Sequence, residues 1–131
     1  FTSQSYALFP KIREVDTFLQ KYPVYRNKLY ESHPEVSFAG LCGEVLKSSK
    51  HTEQGIKDRV EILSRFFSEL TYESVIKMAK SLKCNADDIT DSVCLVIVAN
   101  MIEDGKTYTI PAEPDTDETG LKMQLTVPRI E

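Results

Sequence analysis

NADDITDSVCLVIVANMIEDG, residues 85–105, is the stretch on which the fold of this chain turns. Three aspartates, Asp87, Asp88 and Asp91, crowd its first positions, and the apolar run SVCLVIVA follows at once. Valine and isoleucine favour a strand on propensity alone. The length of the run, its acidic start and the stop at Gly105 favour a helix. Carboxylates complement the positive end of a helix dipole, and glycine accepts the left-handed turn that closes one. The expected helix runs from about Asp88 to Glu103, apolar nearly all round in its middle and the most buried of the set.

Upstream, Pro10 suits a first helical turn, and Ile12, Val15, Phe18 and Leu19 share a face. That predicts a helix from about 9 to 20, ended by Pro23. KLYES, residues 28–32, reads as a short strand that could begin at Val24. Pro34 and Glu35 resemble the opening of a short helix capped by Ser32 or His33 and closed by Gly43. After the polar loop KSSKHTEQG (47–55), Ile56, Val60, Leu63, Phe67 and Leu70 recur at helical steps, with a cap near Thr52. Thr71 caps the next helix, whose apolar face is Val75, Met78, Ala79 and Leu82. Its Lys77, Lys80 and Lys83 lie toward the negative end of the dipole.

Downstream, strands are expected at Thr107–Ile110 and Leu121–Val127. In the second, Leu121, Met123, Leu125 and Val127 alternate with polar residues, giving one buried and one wet face. EPDTDETG (113–120) between them is acidic but lacks the ligand spacing of a calcium loop. The sum is one mixed α/β domain over residues 1–131, helix-rich with few strands, and short of sheet for its size.

Composition narrows the functional classes. With 41% apolar and 27% charged residues the chain is globular, and its formal charge of −4 gives no bulk attraction for nucleic acid. No apolar stretch reaches the roughly 18 residues of a membrane span. Cys42, Cys84 and Cys94 stand at unrelated spacings, without a partner pattern in His33 or His51, and read as reduced thiols of a cytoplasmic protein. Phosphate-cradling glycine loops and nucleophile elbows are absent.

What remains is acid. Asp88 and Asp91, three apart, share a helix face and repel each other unless the dipole, solvent, a cation or a raised pKa relieves them. Asp87 is a natural N-cap, as is Asn85. Capping alone and a metal or acid–base site are both open readings. In YESHPE (30–35), Glu31 lies near the end of the expected strand, where catalytic groups of α/β proteins gather. His33 suits a cap, a ligand or a proton shuttle, and Glu35 serves the helix start. In SSKHT (48–52), Lys50 is either a phosphate contact or an exposed loop lysine.

LFPKIREVD (8–16), YESHPEVSFAGLCG (30–43), SSKHT (48–52), GIKDRVEIL (55–63), DDITDSVCLVIVA (87–99) and GLKMQLTV (120–127) together resemble the bacterial and archaeal family known as domain of unknown function 429. Its members are predicted nucleases of RNase H-like fold. The resemblance implies that this chain, which begins FTSQSYALFP, corresponds to the C-terminal portion of such a domain. The N-terminal strands, with the first active-site aspartate, would then be lacking.

The resemblance further implies Mg²⁺ or Mn²⁺ held by Glu31, Asp88 and Asp91, with His33 and Lys50 as auxiliary groups. Phosphodiester hydrolysis of a nucleic acid is the implied activity, silent in this portion alone. A non-catalytic module binding nucleic acid or protein is the alternative. A homodimer through the truncated sheet or an apolar face is the expected assembly.

Overall fold

In the computed structural model, which describes residues 3–130, α5 (Ala86–Glu103) is the centre of the molecule. α2 (Pro34–Cys42), α3 (Glu53–Ser64) and α4 (Tyr72–Leu82) pack around it, together with strands β1 (Thr107–Ile110) and β2 (Leu125–Pro128). Cys94, Ile97 and Met101 of α5 join Phe38, Leu41, Ile62 and Leu63 in one buried cluster. Ile89 joins Ile56, Val60, Val75 and Ala79 in a second. The helix reading of residues 85–105 holds, but burial is one-sided, because Val96 is 53% exposed and Leu95 38%.

Local chemistry sets the ends of these helices. Thr52 Oγ1 accepts from the Gly55 N–H at 3.0 Å, and Thr71 and Ser74 cap each other reciprocally at the start of α4. Gly43 (φ 83°) and Gly105 (φ 67°) take the left-handed turns that close α2 and α5. α3 stops at Ser64, short of the stripe that continues to Phe67 and Leu70. Leu70 still packs on both clusters, from the turn before α4, so helical spacing here spans a change of chain direction.

The sheet is smaller than the alternation suggested. β1 and β2 pair antiparallel, Thr107 opposite Pro128 and Ile110 opposite Leu125. Residues 28–32 form no strand. Glu31 and Ser32 lie beside β2 instead, the Glu31 carbonyl accepting from Thr126 N–H at 2.7 Å and Ser32 Oγ donating to the Thr126 carbonyl at 2.8 Å. Contacts on both sides bury Thr126, which the alternation places on the wet face. Residues 115–123 fold on themselves rather than extending β2. Asp117 accepts from the Thr119 and Leu121 N–H groups and the Thr119 hydroxyl, and the Leu121 bond is the largest of the effects holding its carboxyl below the usual range.

α1 (Ser3–Lys21) begins earlier than expected, so Pro10 falls inside it, and it packs against the 3₁₀ turn Pro23–Tyr25 and no other element among the described residues. Leu8, Ile12 and Val15 are all more than half exposed. The architecture is α/β, helix-rich with few strands, and no helix among the described residues is long and apolar enough to cross a membrane.

Candidate functional site

The acids at the head of α5 divide differently from the expectation. Asn85 is the N-cap, and the Asp88 carboxylate turns back to accept its N–H at 2.9 Å. That bond spends Asp88 on the helix end, where a carboxylate both satisfies an orphan donor and complements the dipole. Asp87, the other capping candidate, instead lies one full turn from Asp91, and both meet the loop before α3. Lys50 Nζ stands 2.6 Å from Asp91 Oδ2 and 3.8 Å from Asp87 Oδ2. His51 Nδ1 stands 3.4 Å from the same Asp87 oxygen. The facing pair is therefore Asp87 with Asp91, not Asp88 with Asp91.

Burial sharpens the electrostatics. The side chains of Asp87 and Asp91 are 13% and 19% exposed, and Lys50 keeps 29%. The hydrogen bond to Asp91 is the main cause of a Lys50 pKa above its ordinary value, with burial opposing it. The second Asp91 oxygen, Oδ1, is buried and has no hydrogen-bond partner among the described residues. One turn further along α5, burial, with the Asp91 and Glu35 charges adding, pushes the Cys94 thiol up to about 12. Cys94 donates to the Pro34 carbonyl and stays protonated, which removes it as a nucleophile.

Glu35, at the start of α2, pairs with Arg59 of α3. The Arg59 hydrogen bond is the first cause of a Glu35 pKa below the usual range, against burial; the charges of Arg59, Lys50 and His33 lower it further. Helix start and ion pair are thus served by one carboxylate.

Of the residues singled out from sequence, Lys50 and Asp91 are brought together. Glu31 lines a shallow depression with Ile12, Leu29, Tyr30 and Lys122, and none of the α5 acids borders it. His33 holds the N-cap position of α2 without a side-chain capping bond and is exposed. Among the described residues no three His, Cys, Asp or Glu side chains form a group that could hold a metal ion, so Glu31, Asp88 and Asp91 do not converge as a triad. The cause is local, since Asp88 is engaged as a cap and the Glu31 segment runs beside β2.

Sequence reasoning missed Asp87, His51 and Arg59 as members of this centre. For Asp87 the signal was its one-turn spacing from Asp91. For Arg59 it was a charged residue on the apolar stripe of α3, between Ile56 and Val60. His51 carried none beyond its place next to Lys50.

No curated protein and no solved structure matched the chain at a significant level. The family model described as protein of unknown function (DUF429) matches residues 1–116, and the chain belongs to that family.

Proposed function

We propose that the head of α5 belongs to a phosphodiester-hydrolysing centre of RNase H-like type, with Asp91, paired to Lys50, as its central carboxylate and Asp87 beside it. The observation that carries this reading is Asp91 itself, one oxygen neutralised by Lys50 and the other buried without a hydrogen-bond partner among the described residues. An unsatisfied buried acceptor costs about 1–3 kcal/mol, more when charged, and native proteins keep few without a ligand, ion or water to meet them.

Carboxylate oxygens suit Mg²⁺ or Mn²⁺. Mg²⁺ is commonly held by one or two carboxylates, with water and substrate phosphates completing its shell. Asp87 and Asp91 are the residues that would hold it. When bound, such a cation activates a water for attack at phosphorus and neutralises the leaving oxygen. Lys50 meanwhile compensates the pair's charge, and its flexible stem lets the ammonium turn from Asp91 to a phosphate oxygen. His51, exposed beside Asp87, suits proton exchange with solvent.

The test is Mn²⁺ binding to this chain by calorimetry, with cleavage of end-labelled branched DNA, RNA–DNA hybrid and single strands assayed on the full-length protein. Mn²⁺-dependent cleavage of at least one substrate is expected, with cleavage and most of the binding lost in Asp91→Asn. No cleavage, together with Mn²⁺ binding indifferent to Asp91→Asn, sinks the proposal. One observation favours a second reading, a silent module that binds nucleic acid or protein: the Lys50–Asp91 pair already neutralises one Asp91 oxygen. On that reading Mn²⁺ has no effect and partner binding survives Asp91→Asn. The exposed face of α1 at Leu8, Ile12 and Val15 is where we place a second copy of this chain.

A further inference from the structure

GIKDRVEIL (55–63) contains two residues that the proposed chemistry does not use, Gly55 and Arg59. Arg59 is 1% exposed. A buried guanidinium is tolerable only with its donors paired, and here they are. Nε and Nη2 donate to the two Glu35 oxygens at 3.0 and 2.6 Å, and Nη1 donates to the Gly55 carbonyl at 2.8 Å. Nη1 and Nη2 both reach the Ser48 carbonyl at 3.3 Å, and the Phe38 ring lies 5.6 Å from the guanidinium carbon. Well-packed apolar side chains often stabilise a core as well as such a pair does, so stability alone does not account for it. What the pair fixes is the Ser48 carbonyl.

One residue on, the Ser49 backbone lies directly against Gly55, where a Cβ would overlap the Ser49 carbonyl. Thr52 Oγ1 donates to that carbonyl at 2.8 Å and accepts from the Gly55 N–H. Backbone positions 48 and 49 are thus each tied to α3. The next residue is Lys50, whose ammonium meets Asp91 at 2.6 Å.

We infer that Arg59 and Gly55 are positioning residues that, through Ser48 and Ser49, set where Lys50 meets the acids of α5. The place of Lys50 is fixed by α3 and not only by its attraction to Asp91. The bearing of this on phosphodiester chemistry rests on the function proposed above, whereas the clamp itself stands on geometry.

A zero-length cross-link tests it. A water-soluble carbodiimide joins an amine and a carboxylate in direct contact as an amide, and the Lys50–Asp91 product is quantified by mass spectrometry. Lys57 and Glu53, 2.6 Å apart on α3, give the internal reference. Relative to that reference, the Lys50–Asp91 yield is expected to fall about tenfold in Gly55→Ala and Arg59→Met, the scale of one lost charge-assisted hydrogen bond.

Arg59→Lys, with the charge but not the fork, is expected not to restore it. Glu35→Gln keeps the shape of the pair and gives an intermediate fall, which keeps the test decisive if the arginine variants do not fold. Unchanged yields in folded Gly55→Ala and Glu35→Gln overturn the inference. Because the cross-link needs no catalysis, a fall in yield without any Mn²⁺-dependent cleavage leaves the clamp standing and removes only the hydrolytic reading.

Discussion

α1 and α5 are the two longest helices, 19 and 18 residues, and both carry apolar side chains on helical spacing. Their environments are opposite. α5 is packed by three helices and both strands, while the one element that α1 packs against among the described residues is the 3₁₀ turn that follows it. Periodicity therefore specified that each segment is a helix and left open what each would bury against. Helical stability in proteins comes chiefly from tertiary packing of the apolar face. α5 has that support along its length; among the described residues α1 has it at Leu19, which is buried, and not along Leu8, Ile12 and Val15.

The same substitution on the two helices tests this contrast with the largest expected effect. Ile97 is 2% exposed and Ile12 is 59% exposed. Ile97→Ala is expected to cost about 2–5 kcal/mol, removing transfer energy and leaving a cavity among Phe38, Leu63 and Met101. Ile12→Ala, with little to lose in the single chain, should stay within about 0.5 kcal/mol. Urea denaturation of both variants decides it. Equal losses would mean that α1 is covered in solution as thoroughly as α5.

The α5 side also contains the buried charge, and the two ends of that ion pair should not be equivalent. Glu35→Ala leaves the Arg59 guanidinium without its counter-charge. The expected cost is roughly 2–3 kcal/mol, below that of breaking a fully buried pair because 36% of the Glu35 side chain is in solvent. Arg59→Met should cost less, since the orphaned carboxylate can hydrate. The same urea measurement compares them, and a larger loss for Arg59→Met would show that its bonds to the Ser48 and Gly55 carbonyls outweigh the hydration of the freed Glu35.

The sign of the pH dependence follows from Glu35. Its folded pKa lies below the ordinary 4.5, so its stabilisation is present above that value and is lost as pH falls through the depressed folded value. Wild type should lose stability in acid more steeply than Glu35→Gln. Lys50 works in the other direction. Its folded pKa is raised above 10.5, so its contribution is present below 10.5 and disappears as pH rises through the folded value. Denaturation midpoints across pH, with Lys50→Met to isolate the alkaline arm, check both signs.

Much of this was legible before the structure. The caps at Thr52 and Thr71, the glycine stops and strand β1 follow from local chemistry, and local chemistry is what a sequence displays. The misreadings came where a second segment intervened. Thr126 is buried because Glu31 and Ser32 approach from the side away from β1, which alternation along one strand cannot reveal. The loop carrying Lys50 was legible as a place for a charged residue, but its target was not. The sequence reads Asp87 as a cap and Asp88 as a site acid, and the bond from Asn85 N–H to Asp88 reverses the two, leaving Asp87 to face Lys50.

The gentlest prediction returns to α1. If a second copy of this chain covers the Leu8, Ile12 and Val15 face, replacing Ile12 and Val15 by glutamate should abolish self-association, because two facing glutamates would each have to be desolvated. Folding of α2–α5 should hardly register the change, since among the described residues α1 does not pack against those helices. Sedimentation velocity over a concentration series, paired with urea denaturation, separates the two effects. The expected outcome is a dimer for wild type and a monomer for the double variant, with stabilities within about 0.5 kcal/mol once dimerisation is subtracted. A wild-type monomer at every concentration would overturn the second-copy reading. α1 would then differ from α5 in having no partner in its own kind, although its sequence is written for one.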